Sequence, residues 1–348
     1  TLESRRDRIL AVLMNPFMSC GARLPVYTLF AAAFFPQRGG VVIFGIYMIG
    51  IALAVMTGLL FKNTLLRGEV SSFVMELPPY HMPTFSGVMY HTWHRLKSFL
   101  IKAGKVILLI VAVLGFLNSM GTDGSFGNSD SSNSVLSAMS RKVTPVFRPM
   151  GIEDENWPAT VGLFTGIFAK EAVVGTLDSI YGQLEVQAGQ EAEGAEEVFN
   201  FWGGISDSFA AIPAGYEGFW DTLKDPLGLF SALEEVEESE SGEQYKTMVS
   251  HFGEHGSQAA FAYLLFILIY APCVAAMAAI AREIGLRWMI FAVSYLTVLA
   301  WVIATLYYQF ATFSFHPSAS AGWIGLCTVF LAAFYFGMRI AGGKQRES

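Results

Sequence analysis

The sequence predicts an all-α polytopic membrane protein with about six spanning helices, a re-entrant segment and helices broken near the bilayer midplane. Three observations lead to this fold. Only 15% of the 348 residues are charged and 53% are hydrophobic, whereas about 25% are charged in soluble domains. Several apolar runs reach the roughly 20 residues that a helix needs to cross a bilayer. Two of these runs carry proline near their middle.

The expected crossings follow the apolar runs in chain order. The run 40–61, for example, has 22 residues and no charge. Basic residues cluster at Arg5–Arg8, within 62–105, at Arg282–Arg287 and at the C-terminal end. Because basic flanks mark the cytoplasmic side, these clusters are expected inside. The crossings expected from this pattern are 9–36, 40–61, 106–120, 258–281, 288–310 and 321–337.

These orientations place both ends of the remaining apolar segment, 157–180, on the outside. A single crossing would break that parity, so we expect a re-entrant segment that enters the membrane and returns. Its tip is expected near Ala169–Gly175, next to Lys170 and Glu171. Irregular backbone at membrane depth is tolerated where protein or water covers it. The alternative is a full crossing that leaves the acidic loop inside and the C-terminus outside.

The chain is expected to divide into four parts. Between residues 179 and 256, sixteen Asp and Glu stand against two lysines, which predicts an acidic external insertion. The sequence contains no GxxxxGK[ST] nucleotide motif, and no nucleic-acid partner is expected. The parts are 1–120, a first half with a surface helix at 82–98; 121–180, an external loop and the re-entrant segment; 181–256, the acidic insertion; and 257–348, the second half with a cytoplasmic C-terminus.

The stretch NPFMSCGARLP, residues 15–25, predicts a break within the first crossing. Pro16 removes a backbone donor, and Pro25 disfavours helix just before it. The helix is therefore expected to open around Met18–Leu24, with Cys20 in the opening. Freed carbonyls and helix ends at such breaks form ion sites in transporters. The alternative interpretation is a proline kink beside a small buried thiol.

A second break is predicted at YAPC, residues Tyr270–Cys273, where a thiol again follows a proline. Two proline-broken crossings, each with a cysteine, indicate a paired site made by Cys20 and Cys273. Thiolate, carboxylate and carbonyl ligands together suit a divalent transition metal better than a hard ion. By contrast, Cys327 has no break nearby and is interpreted as a packing residue.

Ionisable residues supply the other candidates. Lys170 and Glu171 lie in an apolar run, and such residues at membrane depth are functional by default; an internal salt bridge is the alternative. Glu171 is the third expected metal ligand. His251 and His255, in HFGEH, have the i, i+4 spacing of a helical metal pair and form a weaker candidate at the outer mouth.

At NPFMSCGARLPVYTLFAAAFF, GIFAKEAVVGTL and YAPCVAAMAAIARE, the sequence resembles the membrane domain of the FeoB family of bacterial ferrous-iron transporters. The resemblance implies a multi-pass Gate domain of the bacterial cell inner membrane that takes up Fe(II) as its transported substrate. It implies that Cys20 and Cys273 are gate cysteines and that Glu171 is a membrane-embedded acidic position.

The same resemblance implies parts that this fragment lacks. An N-terminal G domain would bind GTP with Mg²⁺ and hydrolyse it, so the fragment itself is expected to be a transport domain and not an enzyme. Small cytosolic FeoA-type and FeoC-type partners are also implied, and a homo-oligomer is left open. The alternative functions are an organic-solute carrier of the nucleoside type and an intramembrane metalloenzyme.

Overall fold

The computed structural model describes residues 4–66, 82, 84–126, 133–187 and 245–344. Within these ranges the regular elements are helices, and two isolated β-bridges join residues of the loop that follows residue 119. The all-α fold class predicted from composition is thus confirmed. Most of the expected acidic insertion, residues 188–244, lies outside the described part of the chain.

The described α-helices are numbered here in chain order. Short 3-10 turns connect several of them. The helices are α1 Arg5–Met14, α2 Leu24–Phe34, α3 Gly39–Asn63, α4 Phe85–Ser119, α5 Val135–Val143, α6 Trp157–Phe168, α7 Ala172–Gln187, α8 Lys246–His251, α9 Gly256–Ile269, α10 Val274–Ile284, α11 Leu286–Ala311 and α12 Pro317–Lys344.

Five helical segments in the described part are long and apolar enough to cross a membrane. Two of them are pairs of shorter helices, α1 with α2 and α9 with α10, and each pair is interrupted near its middle. The protein is therefore a multi-pass membrane protein. The five segments are Arg5–Phe34, Gly39–Asn63, Gly256–Ile284, Leu286–Ala311 and Pro317–Ile340.

Helix α4 differs from the sequence expectation. The surface helix expected at 82–98 and the crossing expected at 106–120 are parts of one 35-residue helix, about 52 Å long at 1.5 Å per residue. Thr84 caps its start by accepting a hydrogen bond from the Gly87 amide. No proline lies between Phe85 and Ser119, so helix propagates through the change from polar to apolar composition.

Both predicted breaks are confirmed, and the first begins slightly earlier than expected. Helix α1 ends at Met14 and a 3-10 turn covers Asn15–Phe17. After the extended residues Met18 and Cys20, a second 3-10 turn leads into α2. In the second break α9 ends at Ile269 and α10 begins at Val274, after Pro272.

Helices α6 and α7 form an antiparallel hairpin with its tip at residues 169–171. A Cβ placed on Gly162 would lie 3.0 Å from a methyl carbon of Leu177, and one on Gly166 would lie 2.7 Å from Val173 Cγ2. This pairing fixes the two arms face to face. The 12-residue arm α6 is about 18 Å long, well short of the roughly 30 Å apolar core of a bilayer. This length is compatible with a re-entrant segment, which stays a prediction.

Helix α9 is the centre of the bundle. Nearly every side chain from Ala259 to Tyr270 is buried, which fits a helix that is apolar on all faces. The Tyr263 ring stacks on Phe30 of α2 with 4.9 Å between the ring centroids. Phe30 also meets Phe252 edge-on at 5.7 Å. The aromatic packing joins the first half of the chain to the second.

Ring contacts identify one end of the bundle. Phe34, at the end of α2, packs against Phe252 with 5.0 Å between centroids. His255, just before α9, lies 4.2 Å from the Phe315 ring, just before α12. The sequence assigns this end to the outside. On that assignment, helix α12 is expected to begin outside.

The opposite end joins the starts of α1 and α11. Arg6 donates a hydrogen bond to the Leu66 carbonyl oxygen after α3, and Phe61 packs against Phe291 at 6.0 Å. Helix α12 spans 28 residues from the outer end, so its basic C-terminal part reaches this second end. The N-terminal arginines and the end of α12 thus lie on the same side.

We predict that single cysteines introduced at Glu155 and Ser250 react with an impermeant maleimide in intact cells, whereas one at Arg287 does not. The hairpin returns to its side of entry, which keeps residues before and after it outside. Reaction at Arg287 together with protection at Ser250 would contradict the hairpin and support a full crossing. Labelling of all three after permeabilisation is the control.

Candidate functional site

An arginine closes the first broken helix. Arg23 is 2% exposed, and its Nη1 donates to the carbonyl oxygens of Pro16 at 3.1 Å and Met18 at 3.4 Å. These carbonyls have no helical partner because the chain is extended at Met18 and Cys20. The guanidinium therefore satisfies oxygens that the break releases from helical bonding.

Cys20 lies beside this closure. It immediately precedes the turn Gly21–Arg23 and is exposed. Its neighbour Ser19 shares a hydrogen bond of 3.3 Å with the buried hydroxyl of Tyr27 on α2. The first break thus has an exposed thiol, that of Cys20. Next to it, the hydrogen bond between Ser19 and the buried Tyr27 ties the break to α2.

The hairpin tip separates the two adjacent charges. Lys170 is 3% exposed, and its Nζ lies 4.2 Å from the centroid of the Tyr270 ring, a cation–π contact. That Nζ has no hydrogen-bond partner among the described residues. Glu171 is exposed. As expected for neighbouring residues, one faces the protein and the other faces away.

The second broken helix supplies the ring that Lys170 contacts. Tyr270 is 1% exposed and follows the last residue of α9. Cys273 precedes α10 as its N-cap residue and is half-buried. The positive end of the α10 dipole therefore points toward this thiol.

The three interruptions come together at one place. Lys170 lies within electrostatic range of Arg23, Cys20 and Cys273. Tyr270 lies within the same range of Arg23, Cys273 and Tyr27. We call this region, made of residues 16–23, 169–171 and 270–273, the convergence point. Both cysteines that the sequence singles out belong to it.

The convergence point is not a preassembled metal centre. Within the described ranges, no three His, Cys, Asp or Glu side chains are close enough to hold a metal ion together. Cys20, Cys273 and Glu171 therefore do not form a ready set of three ligands in this conformation. Metal binding by these residues stays a prediction.

The hairpin is positioned by a face of small residues. Tyr263 donates from its hydroxyl to the Ala159 carbonyl oxygen at 2.9 Å, and a Cβ on Gly162 would lie 2.9 Å from the same hydroxyl. A Cβ on Gly166 would collide with the Tyr270 hydroxyl. Tyr263 on α9 and Tyr270 just after its end therefore fit against α6 only where it lacks side chains.

The histidine pair expected at the outer mouth does not share a helix. Helix α8 ends at His251, Gly253 has a positive φ of 73°, and His255 precedes α9. His251 Nδ1 lies 2.7 Å from the Thr247 carbonyl oxygen, while the His255 ring packs on Phe315. The helical i, i+4 alignment is wrong because the glycine ends the first helix.

One further interpretation, that of Cys327, agrees with the structure, and one residue, Arg23, was missed. Cys327 is 1% exposed on α12, away from the three interruptions in sequence, which agrees with a packing residue. The role of Arg23 was missed. The signal was present, because Arg23 is an ionisable residue inside an apolar run, the same criterion that selects Lys170.

Comparisons with known proteins cover the whole chain. The family model Gate, described as nucleoside recognition, matches residues 100–287, and the model described as ferrous iron transport protein B C terminus matches residues 43–95. The first range contains Lys170, Glu171 and Cys273. Cys20 lies outside both ranges.

Curated relatives carry the name Fe(2+) transporter FeoB. The relative from Legionella pneumophila strain Philadelphia 1 is 42% identical over 352 residues, covering 100% of this chain and 46% of the relative. The relative from Escherichia coli K12 is 43% identical over 325 residues, covering 92% of this chain and 40% of the relative. The chain thus spans less than half the length of these relatives. No solved structure matches it.

We predict that Gly166→Ala destabilises the protein by about 1–3 kcal/mol, the usual cost of overpacking a close contact. The added methyl group would meet the Tyr270 hydroxyl and Val173. Gly175→Ala on α7 is the matched control, because a Cβ there meets nothing within 4 Å. The measurement is the midpoint of thermal unfolding in detergent. Equal midpoints for the two variants would contradict the docking described.

Proposed function

Because this chain belongs to the Gate family and is related along its full length to FeoB transporters, we propose that it is the membrane-spanning part of a ferrous-iron permease. Its location would be the bacterial inner membrane. The cargo is Fe²⁺, which the names of the relatives specify. The substrate and activity of the whole protein are part of this proposal, since the chain covers less than half of each relative.

One observation supports a permease most strongly: two proline-broken crossings and a hairpin tip converge, and a thiol stands at each broken crossing. Broken helices at the midplane are how secondary transporters build ion sites. Neither Cys20 nor Cys273 lies in the regular part of a helix, so each can approach a passing ion together with nearby carbonyl oxygens. Thiolate ligands favour a borderline metal such as Fe²⁺ over Mg²⁺ or Ca²⁺.

We assign three roles within this site. Cys20 and Cys273 bind Fe²⁺ transiently as it passes between the two breaks. The α10 N-terminus stabilises negative charge on Cys273. Glu171, exposed at the hairpin tip next to the buried Lys170, is assigned charge compensation for the ion. The ion is held by few ligands, which suits a site that must release it.

Other parts of the proposal rest on the family alone. GTP and Mg²⁺ would bind a G domain of the whole protein, and small FeoA-type and FeoC-type proteins would be cytosolic partners. The GxxxxGK[ST] motif of P-loop nucleotide sites does not occur in this sequence. No transport step assigned here passes through GTP.

A nucleoside-type carrier is the second candidate. The description of the Gate model favours it. The thiols are the argument against it. An intramembrane metalloenzyme has no comparable support, because His251 and His255 lie on separate elements.

The test is Fe²⁺ uptake by full-length protein carrying Cys20→Ser, Cys273→Ser, Glu171→Gln or Cys327→Ser, at limiting iron and with membrane expression measured. We expect uptake by Cys20→Ser and by Cys273→Ser to fall about tenfold or more. Serine has a similar size to cysteine but is a poorer ligand for this metal. Glu171→Gln is expected to impair uptake without unfolding. Cys327→Ser is the matched control and should behave as the parent protein.

Normal uptake by both Cys20→Ser and Cys273→Ser would make the thiols packing residues and contradict the assigned site. Uptake of radiolabelled uridine by the parent protein, with no Fe²⁺ uptake, would instead support the nucleoside-type carrier. The two outcomes are distinguishable in one set of vesicles.

A further inference from the structure

A groove between α11 and α12 lies apart from the convergence point in the chain. Apart from the hydroxyls of Ser294 and Tyr295, its described lining is apolar. The Tyr295 hydroxyl already shares a hydrogen bond of 3.1 Å with Thr57 of α3. The groove has a volume of about 250 Å³, and its lining includes Phe291, Tyr295, Val298, Val302, Phe330 and Phe334.

The groove opens toward the surroundings of the bundle. Val298 and Phe330, on its two walls, are 43% and 45% exposed. Helix α12 is also the least buried of the five crossing segments, with 11% of its apolar window covered by the rest of the described chain. Because both walls belong to membrane-crossing segments, the molecules that meet this opening are lipids.

The length of the groove matches one leaflet. From Phe291 to Val302, α11 rises about 16 Å, half of the roughly 30 Å apolar core of a bilayer. Trp288, one turn before Phe291, packs edge-on against its ring with 5.8 Å between centroids. Tryptophan is enriched at the membrane–water interface, so the groove begins near an interface and extends to about the midplane.

The interfacial end of the groove is basic. Arg287 is exposed and lies four residues before Phe291, on the same face of α11. Arg339 of α12 is exposed and follows Phe334 by five residues. Because the Phe334 ring stacks on Tyr295 at 5.6 Å, the two antiparallel helices bring both arginines to the same end.

These charges favour an anionic headgroup. The last turn of the preceding helix α10 adds Arg282 and Glu283, whose charges offset each other, so Arg287 and Arg339 set the sign at this end. Arginine binds phosphate through charge-assisted hydrogen bonds. In a zwitterionic lipid the headgroup carries its own cation, which competes with arginine for that phosphate.

We propose that the groove between α11 and α12 binds one anionic phospholipid, with an acyl chain against the apolar lining and the headgroup phosphate at Arg287. A helix of a second copy, about 10–12 Å across with its side chains, is too large to enter the groove. A single acyl chain is thin enough to fill it. The site is independent of the iron cargo, because it shares no residue with the convergence point.

The test uses full-length protein in nanodiscs made of equal amounts of palmitoyl-oleoyl phosphatidylglycerol and phosphatidylcholine. Native mass spectrometry counts the lipid that stays bound after the protein is released from the disc. We expect one retained lipid, with phosphatidylglycerol favoured about fivefold, the effect of one basic residue near an anionic headgroup. Size-exclusion elution as the parent protein confirms the fold of each variant.

Val298→Trp fills the groove and should abolish retention of this lipid. Ile290→Trp is the matched control, because Ile290 is also exposed on α11 but does not line the groove; it should retain the lipid as the parent protein does. Unchanged retention in Val298→Trp would overturn the proposal. A parent dimer that Val298→Trp dissociates would also overturn it, because the groove would then be a contact between copies.

Arg287→Gln tests the headgroup contact and removes only an exposed side chain, so it remains decisive if Val298→Trp does not fold. It should keep a lipid but lose the preference for phosphatidylglycerol. Lys62→Gln is its control, because Lys62 is exposed at the same end of the bundle, where Phe61 meets Phe291; the preference should persist there. An unchanged preference in Arg287→Gln, or none in the parent protein, would contradict the proposal.

Discussion

A bilayer offers no hydrogen-bond partner to a backbone carbonyl, and this constraint explains the arrangement of the whole protein. Helices can be broken at membrane depth only where other protein groups or water satisfy the released oxygens. The two broken crossings and the hairpin tip therefore lie together and not at separate lipid-facing positions. Arg23 is the direct solution at the first break, since it bonds to the carbonyls of Pro16 and Met18.

The packing of α9 against α6 fixes the hairpin tip relative to the second break. Helix α9 is buried on nearly all sides and places Tyr263 and Tyr270 on the glycine face of α6. Because the tyrosines are large and the facing residues are small, the hairpin can sit in only one position along α9. That position puts Lys170 at the Tyr270 ring. The location of the hairpin tip thus follows from a size match of Tyr263 and Tyr270 with Gly162 and Gly166.

Much of this arrangement follows from local chemistry that a sequence displays. Pro16 and Pro272 predict the breaks because proline cannot donate to the preceding turn. The hairpin follows from the parity of crossings and the distribution of basic residues. Lys170 and Glu171 attract attention because charges are costly at membrane depth. Each of these inferences needs only the identity of nearby residues and the presence of a bilayer.

Other features were missed or misjudged from the sequence. The choice of Arg23 as the partner of released carbonyls requires knowing how the turn at Gly21 folds back. The single long α4 was misjudged because a change in polarity resembles a boundary, although nothing in Phe85–Ser119 stops a helix. The histidine spacing was misleading for the opposite reason, because Gly253 ends a helix that the spacing assumed to continue.

The convergence of the two broken crossings is the central claim, and cross-linking of the two thiols measures it directly. In membranes containing full-length protein whose only cysteines are Cys20 and Cys273, a short bifunctional maleimide is added. The chain is then cleaved at a protease site inserted between residues 188 and 244. Convergence predicts that the two fragments migrate together after cleavage, and separately when either cysteine is serine. Separate fragments despite full reaction of both thiols with a monofunctional maleimide would contradict the account.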